Sequence, residues 1–375
     1  VTSGMDGSYF LKDLEPGKHV VVVSHVGHIS EKREVLVKPG ETTTLNLLMS
    51  SAALLDESVV TGTRKPTFVS RSPVKSDVVT SEQFDLYLPS AASSIIESVQ
   101  LVNGVQEVID CGVCYTNSIS VNGLPGSYTA ILMDGTPISG SLASVYGLNG
   151  IPNMIIDRFE VIQGPNSTLY GSDAVAGVIN VITKNPSEQP MFSADVMTTT
   201  MEEVFANIAF APELGKSNGY IGLNLNYVNN YQDINDDGFG DGVNTDVISL
   251  FSKFNIYRPS DKIFTIAAKY YYEDRRNGVE AFVKDRAYRQ LRGSDEIYGE
   301  SIYTNRVELF GTYALNTSES MKIDYSLSNH LQDSYYGSER YEASQQIAFT
   351  NFTWSFDHNK HDFLIGSTLR YDAYD

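Results

Sequence analysis

MKIDYSLSNHL, residues 321–331, decides the fold of this chain. Met321, Ile323, Tyr325, Leu327 and Leu331 stand at one parity, and Lys322, Asp324, Ser326, Ser328 and His330 stand at the other. A period of two places one set on each face of an extended strand, apolar on one side and polar on the other. YIGLNLNYV (220–228) repeats the pattern, with Ile221, Leu223, Leu225 and Tyr227 against Gly222, Asn224 and Asn226, and HDFLIGSTLRYDAY (361–374) repeats it again. About nine such segments fill residues 187–375. Each reaches the ~9–11 residues of a tilted membrane-spanning strand, whereas strands of soluble sheets average about five or six.

The links between these segments alternate in length. Short ones at APELGKSNG, RPSDK, NTSES and DHNKH separate longer ones at TTMEEV (199–204), at 229–244, at 273–300 and at DSYYGSERYEA (333–343). Short turns on one side and longer loops on the other are the habit of outer-membrane barrels. An open sheet would leave unpaired edges in hydrocarbon, so further strands are expected to close it. The chain opens at Val1 and stops at Asp375 in mid-pattern, and both ends read as cut.

Composition agrees. Hydrophobic residues make up 42% of the 375, enough for sizeable cores, and 23 tyrosines and 17 phenylalanines suit pleated surfaces. Asp and Glu number 46 against 27 Lys and Arg, a formal charge of -19 that repels phosphate backbones and argues against nucleic acid as a partner. No apolar window approaches the ~18 residues of a transmembrane helix, a test to which barrel strands are invisible.

Ahead of the barrel segments three regions are distinguishable. Residues 1–50 alternate strand runs with Pro16-Gly17 and Pro39-Gly40 turns and read as a small β-sandwich; its His19, His25 and His28 lack a carboxylate at ligand spacing and read as strand-face residues. Residues 51–66 form a linker containing LLDESVVTG. Residues 67–186 read as a mixed α/β domain with a helix N-cap at Ser81, two short helical stretches around Pro89, and short apolar runs broken by glycine turns.

IDRFEVIQGPNSTLYGSDAVAGVINVIT (156–183) resembles the plug signature of TonB-dependent outer-membrane receptors, and SISVNGLPGSYTAILMDGTPI resembles that family's segment ending in an Asp-Gly turn. The residues carrying the likeness are Asp134, Gly135, Arg158, Glu160, Gly164, Pro165, Tyr170, Gly171, Gly177 and Asn180. Residues Leu55, Asp56, Glu57, Ser58, Val59, Val60 and Thr61 resemble the TonB box. The N-terminal sandwich resembles a carboxypeptidase-regulatory-like, transthyretin-type domain of the Bacteroidetes-type subgroup. Two positions depart from the family pattern: Gln163 stands where a basic residue is usual, and Ala176 where glycine is usual.

The resemblance implies a mainly β protein whose plug domain sits inside an antiparallel barrel of about 22 strands. It implies active import of a scarce metal chelate (siderophore-iron, cobalamin or haem), driven by a periplasmic TonB domain pulling on the box. Outer-membrane lipid and a surface lipoprotein would be further partners. A secreted or surface all-β adhesin is the alternative. No acid, base and nucleophile converge in the sequence, so no enzyme is expected.

Three motifs remain. Cys111 and Cys114 form C-x-x-C without the following helix of a redox site; in an oxidising envelope a local disulfide is the expected outcome, beside a free pair or redox or metal chemistry. DINDDGFGDG gives Asp233, Asn235, Asp237, Phe239 and Asp241 the spacing of the first half of a calcium loop, with Asn244 at the twelfth position and Asp246 as a substitute ligand, making structural Ca2+ the one cofactor considered. Arg275, Arg276 and Arg292 lie in the expected long outer loop, where guanidinium groups are suited to grip an anionic ligand.

Overall fold

The computed structural model describes residues 9–12, 14–23, 31–47, 59–60, 67–68, 75–83, 95–109, 113, 117–138, 148, 151–165, 170, 172–259, 262–317, 320–359 and 361–375. The chain divides into two compact units, Val1–Val59 with Phe68–Arg71, and Val60–Thr67 with Ser72–Asp375.

In the first unit β1 (Gly17–Val23) pairs antiparallel with β2 (Glu31–Val37), Gly17 opposite Val37. The Tyr9 hydroxyl donates to the Leu45 carbonyl at 2.6 Å. Three strand runs are expected here from sequence; among the described residues two become strands, and residues 9–12 and 41–47 join no ladder. The His19 ring bonds the Glu15 carbonyl at 2.7 Å, an ordinary local contact, while His25 and His28 lie outside the described residues. Two short strands follow, β3 (Val59–Val60) and β4 (Thr67–Phe68).

The plug domain is built on a mixed five-stranded sheet. Its elements are β5 (Ser76–Thr80), α1 (Ile95–Val99), β6 (Val105–Ile109), β7 (Asn117–Val121), β8 (Thr129–Met133), β9 (Thr136–Pro137), β10 (Ile156–Gln163) and β11 (Gly177–Thr183). The order is β5-β10-β11-β8-β9, with β11 and β8 parallel, and β6 and β7 pair separately. Cover on both faces explains why β8 is apolar from Ala130 to Met133 and why nearly every residue of β10 and β11 is buried, polar ones included. A helical turn at 81–83 follows β5. The Thr80 N–H donates to Gln83 Oε1 at 2.9 Å, the reciprocal half of a capping box, so the cap falls at Thr80, one residue before the expected Ser81.

The wall begins with β12 (Phe192–Thr198), β13 (Val204–Phe210), β14 (Glu213–Leu214), β15 (Ser217–Val228), β16 (Asn244–Asn255) and β17 (Phe264–Gly278). After the helical turns α2 (Glu280–Val283) and α3 (Tyr288–Leu291) it continues with β18 (Gly299–Ala314), β19 (Met321–Tyr336), β20 (Glu339–His358) and β21 (His361–Tyr374). All pairings are antiparallel and follow chain order, except that the two-residue β14 folds onto β15. Burial is inverted relative to a soluble sheet. On β19 the polar Asp324, Ser326, His330 and Ser334 are buried, while Leu327 is 50% and Leu331 47% exposed. Only a barrel with lipid outside and a filled lumen gives that pattern a physical basis.

Inward-facing Ala209, Tyr220, Phe251, Ala267 and Phe310 pack in one cluster with plug residues such as Ile151, Ile155 and Phe159. Outward aromatics gather at the end carrying the short links: Phe264 meets Tyr313 edge-on at 5.3 Å, Trp354 lies 4.6 Å from Phe356, and Phe356 stacks on Phe363 at 5.3 Å. Such girdles mark a membrane interface.

One expected loop is absent. Residues 333–343, read from sequence as a long link, are mostly strand; β19 and β20 run on and are joined by a two-residue turn with Gly337 at φ 61°. Polar residues there bond to one another instead of looping, Arg340 across to Asp333 on β19 and along its own strand to Glu342.

Candidate functional site

The Asp-Gly turn between β8 and β9 is the centre of the plug's polar network. Asp134 (φ 49°) and Gly135 (φ 79°) are its two central residues, both left-handed, as a two-residue hairpin of type I′ requires. The turn is held from three sides. The Thr183 N–H donates to Asp134 Oδ1 at 2.9 Å, the Thr183 hydroxyl donates to Oδ2 at 2.9 Å, and Lys253 Nζ on barrel strand β16 lies 2.8 Å from Oδ2. Lys253 also donates to Thr183 Oγ1 at 2.5 Å. Asn180 Oδ1 accepts the Gly135 N–H at 3.0 Å.

The network then runs across the sheet. Asn180 Nδ2 donates to Glu160 Oε2 at 3.0 Å, directly opposite it in register, and Arg158 Nη2 lies 2.8 Å from Glu160 Oε1. Glu160 and Asn180 are fully buried, so each carboxylate or amide atom is costly unless partnered. The motif residues Arg158, Glu160, Asn180, Asp134 and Gly135 are thus one chain of hydrogen bonds that ends on the barrel wall.

Two glycines of the motif have separate reasons. A Cβ on Gly177 would sit 2.4 Å from the Ile162 carbonyl oxygen, and Gly164 has φ +97°. Ala176 is buried in the apolar cluster, which takes up its methyl. Gln163, where a basic residue is usual, stays within the plug: its Nε2 donates to Asp77 Oδ2 at 2.9 Å and to the Asn103 carbonyl at 2.8 Å, and its Oε1 accepts from Lys75. Pro165 and Tyr170 are described; Gly171 is not.

Three further bonds tie plug to wall. Arg370 Nη1 meets Asp173 Oδ2 at 2.6 Å, Ser326 Oγ donates to the Pro137 carbonyl at 2.9 Å, and Asn277 Nδ2 donates to the Val113 carbonyl at 2.9 Å. Val113 lies between the two cysteines, which are themselves outside the described residues. Of the box, only Val59 and Val60 are described.

The three arginines of the expected anion grip do not converge. Parity explains why: odd positions of β17 face the lumen and even positions face outward, so Arg275 and Arg276 point to opposite sides. Arg275 pairs with Glu273 at 2.6 Å. Arg276 is fully buried on the outer face, bonded to Asn229 Oδ1 and Asp246 Oδ1 and facing the Tyr288 ring. Arg292 is bonded to Asp333 and stacked over Tyr303 and Tyr335. Residues 279–298, part of the expected long outer loop, fold onto the outside of β16–β19. Phe282, Val283 and Tyr288 make a small core there. Burial, reinforced by donation from the hydroxyl to Asp274 at 2.6 Å, raises the Tyr288 phenol pKa.

Acidic side chains of residues 233–241 turn to their own backbone. Asp233 accepts the N–H groups of Asp237 and Gly238, Asn235 Oδ1 accepts that of Asp237, Asp237 accepts that of Phe239, and Asp241 that of Ile234, so these side chains cap the loop's own backbone. Asp246 is taken by Arg276 and by Arg286 at 2.7 Å. Among the described residues no three acidic, His or Cys side chains are grouped to hold a metal.

Sequence reading overlooked the inward charges of the wall. Lys269 and Arg306 both reach the buried Glu308, at 2.7 Å each, with His330 opposite Arg306 in register. Their polar parity in β17–β19 was the available signal.

Residues 69–178 match the TonB-dependent Receptor Plug Domain. The chain is 33% identical over 128 residues to a vitamin B12 transporter of Vibrio vulnificus, covering 34% of this chain and 20% of that protein. It is 31% identical over 173 residues to an iron-regulated outer membrane virulence protein of Vibrio cholerae, covering 42% and 25%. By structure it is similar to the pyoverdine outer membrane receptor of Pseudomonas aeruginosa (TM-score 0.58, 14% identity, 84% of this chain and 49% of that one). The ferric yersiniabactin uptake receptor of Yersinia pestis is similar too (TM-score 0.54, 16% identity, 82% and 50%). The chain thus spans a quarter or less of those curated relatives and about half of those solved receptors. Residues 69–178 are thus a TonB-dependent receptor plug domain, and the similar curated and solved proteins support reading the chain as part of such an outer-membrane receptor.

Proposed function

We propose that the protein imports a scarce metal chelate across the outer membrane, using force applied at Leu55–Thr61. The observation that carries this reading is a folded plug bonded to the inner wall of a lipid-facing sheet, with a short extended strand N-terminal to it. An extended segment adds to a partner's sheet edge through main-chain hydrogen bonds and transmits tension; the periplasmic TonB domain is the partner this reading requires. The ligand class is siderophore-iron, cobalamin or haem, in keeping with the names of the relatives and neighbours. A surface lipoprotein is a further partner in this reading, and the first unit belongs to a regulatory-like sandwich. Deleting Leu55–Thr61 is expected to abolish energised uptake while surface binding of the chelate persists. Uptake that survives the deletion refutes the proposal.

Cys111 and Cys114 are proposed to form a local disulfide in the plug loop that holds Val113. Alkylation of the native protein without reductant should label neither; two labelled cysteines reject the bond.

A further inference from the structure

We propose that Lys253 is a positioning residue that fixes how much of the plug leaves when it is pulled, holding everything from Asp134 onward against the wall. The proposal deepens the transport reading and rests on it.

The order in which a pull from the N-terminus meets the plug follows from topology. The first sheet strand reached is β5, an edge strand paired with β10 alone, Ser76 opposite Ile162 through Thr80 opposite Arg158. Tension enters at the Ser76 end, beside the Lys75 and Gln163 bonds. An edge ladder loaded at one end gives way one bond after another, so β5 is the weak side. Next come α1 and the separate β6–β7 pair; Val113, between those two strands, accepts a neutral bond from Asn277 on the wall.

Resistance changes character at β8. That strand is internal, flanked by β11 and β9, and it ends in Asp134. The Lys253–Asp134 pair is the first ionic tether to the wall met from the N-terminus among the described residues, and Lys253 is 9% exposed. It is reinforced at the same point: Thr183, at the end of β11, bonds both partners, and Ser326 holds the Pro137 carbonyl beyond the turn. A charge-assisted bond with little access to water outlasts neutral edge bonds. The plug therefore splits into a removable part before residue 134 and a part that stays. Among the described residues the next ionic tether along the chain is Asp173 to Arg370.

The test is single-molecule pulling on the full-length protein, with the barrel held in a bilayer and the handle at residue 60. At about 3.4 Å per residue the 74 residues from 60 to 134 release at most about 250 Å, and the 113 residues to 173 about 380 Å. The parent protein should stop near 250 Å. Lys253→Met should lengthen that first step toward 380 Å, and Lys253→Arg should restore it. Heat-modifiable gel mobility confirms that each variant has a folded barrel. An unchanged step in Lys253→Met, or release of the parent's plug in one step well past 250 Å, overturns the proposal. The readout needs neither ligand nor uptake, so its failure is distinguishable from failure of the transport reading.

Discussion

Placing arginine at Leu327 tests the lipid-facing assignment with a number. Leu327 points outward from β19, is half exposed, and pairs with Leu309 and Ala348 on its neighbours. The lower aromatic girdle is marked by Met321, which pairs with Trp354. Six residues at about 3.3 Å each, on strands tilted about 40°, raise Leu327 about 15 Å above that girdle. The apolar band is about 25 Å tall, so Leu327 lies close to its middle. Leu331, outward on the same strand, is about 25 Å up, at the far edge. Leu327→Arg should therefore destabilise the folded protein by about 2–4 kcal/mol, and Leu331→Arg by about 0–1 kcal/mol. Urea titration of the full-length protein in lipid vesicles measures both. Equal costs, or a larger one for Leu331→Arg, would refute the reasoning, because water on that face imposes no dependence on depth.

Glu160→Ala removes the buried partner of Arg158 Nη2 and of the Asn180 amide, while Arg158 Nη1 keeps Asp157 at 2.8 Å, and should lower the stability of the plug by about 1–3 kcal/mol. Calorimetry of the plug transition reads this; a loss under 1 kcal/mol would mean the network is not closed as described. Arg276→Ala should leave chelate affinity within a factor of two, since the side chain faces outward, yet expose residues 279–298 to limited proteolysis. A tenfold loss of affinity with an intact segment would return Arg276 to the ligand site.

How much was legible in advance follows the range of the interactions. Period-two alternation is local, and it is enough to set strand character, face and membrane setting for β12–β21, because lipid outside and a polar filling inside demand opposite residues at adjacent positions. The motif residues Asp134, Gly135, Arg158, Glu160 and Asn180 could be picked out by their spacing. What they are for could not: the chain of bonds from Arg158 to Lys253 joins positions up to 119 residues apart, and only folding brings them together. The same parity that reveals the barrel already separates Arg275 from Arg276, so that error lay in reading a segment as loop where strand continues. For 333–343 polarity suggested a loop, but strands that project beyond the bilayer are polar on both faces, and cross-strand ion pairs keep them extended. The aspartates of 233–241 have calcium spacing, yet whether they meet a metal or their own backbone depends on where Arg276 and Arg286 hold Asp246, and sequence does not fix that. Local pattern determined the architecture; contacts between distant segments decided which charges are free, which are spent on scaffold, and where the plug is fastened.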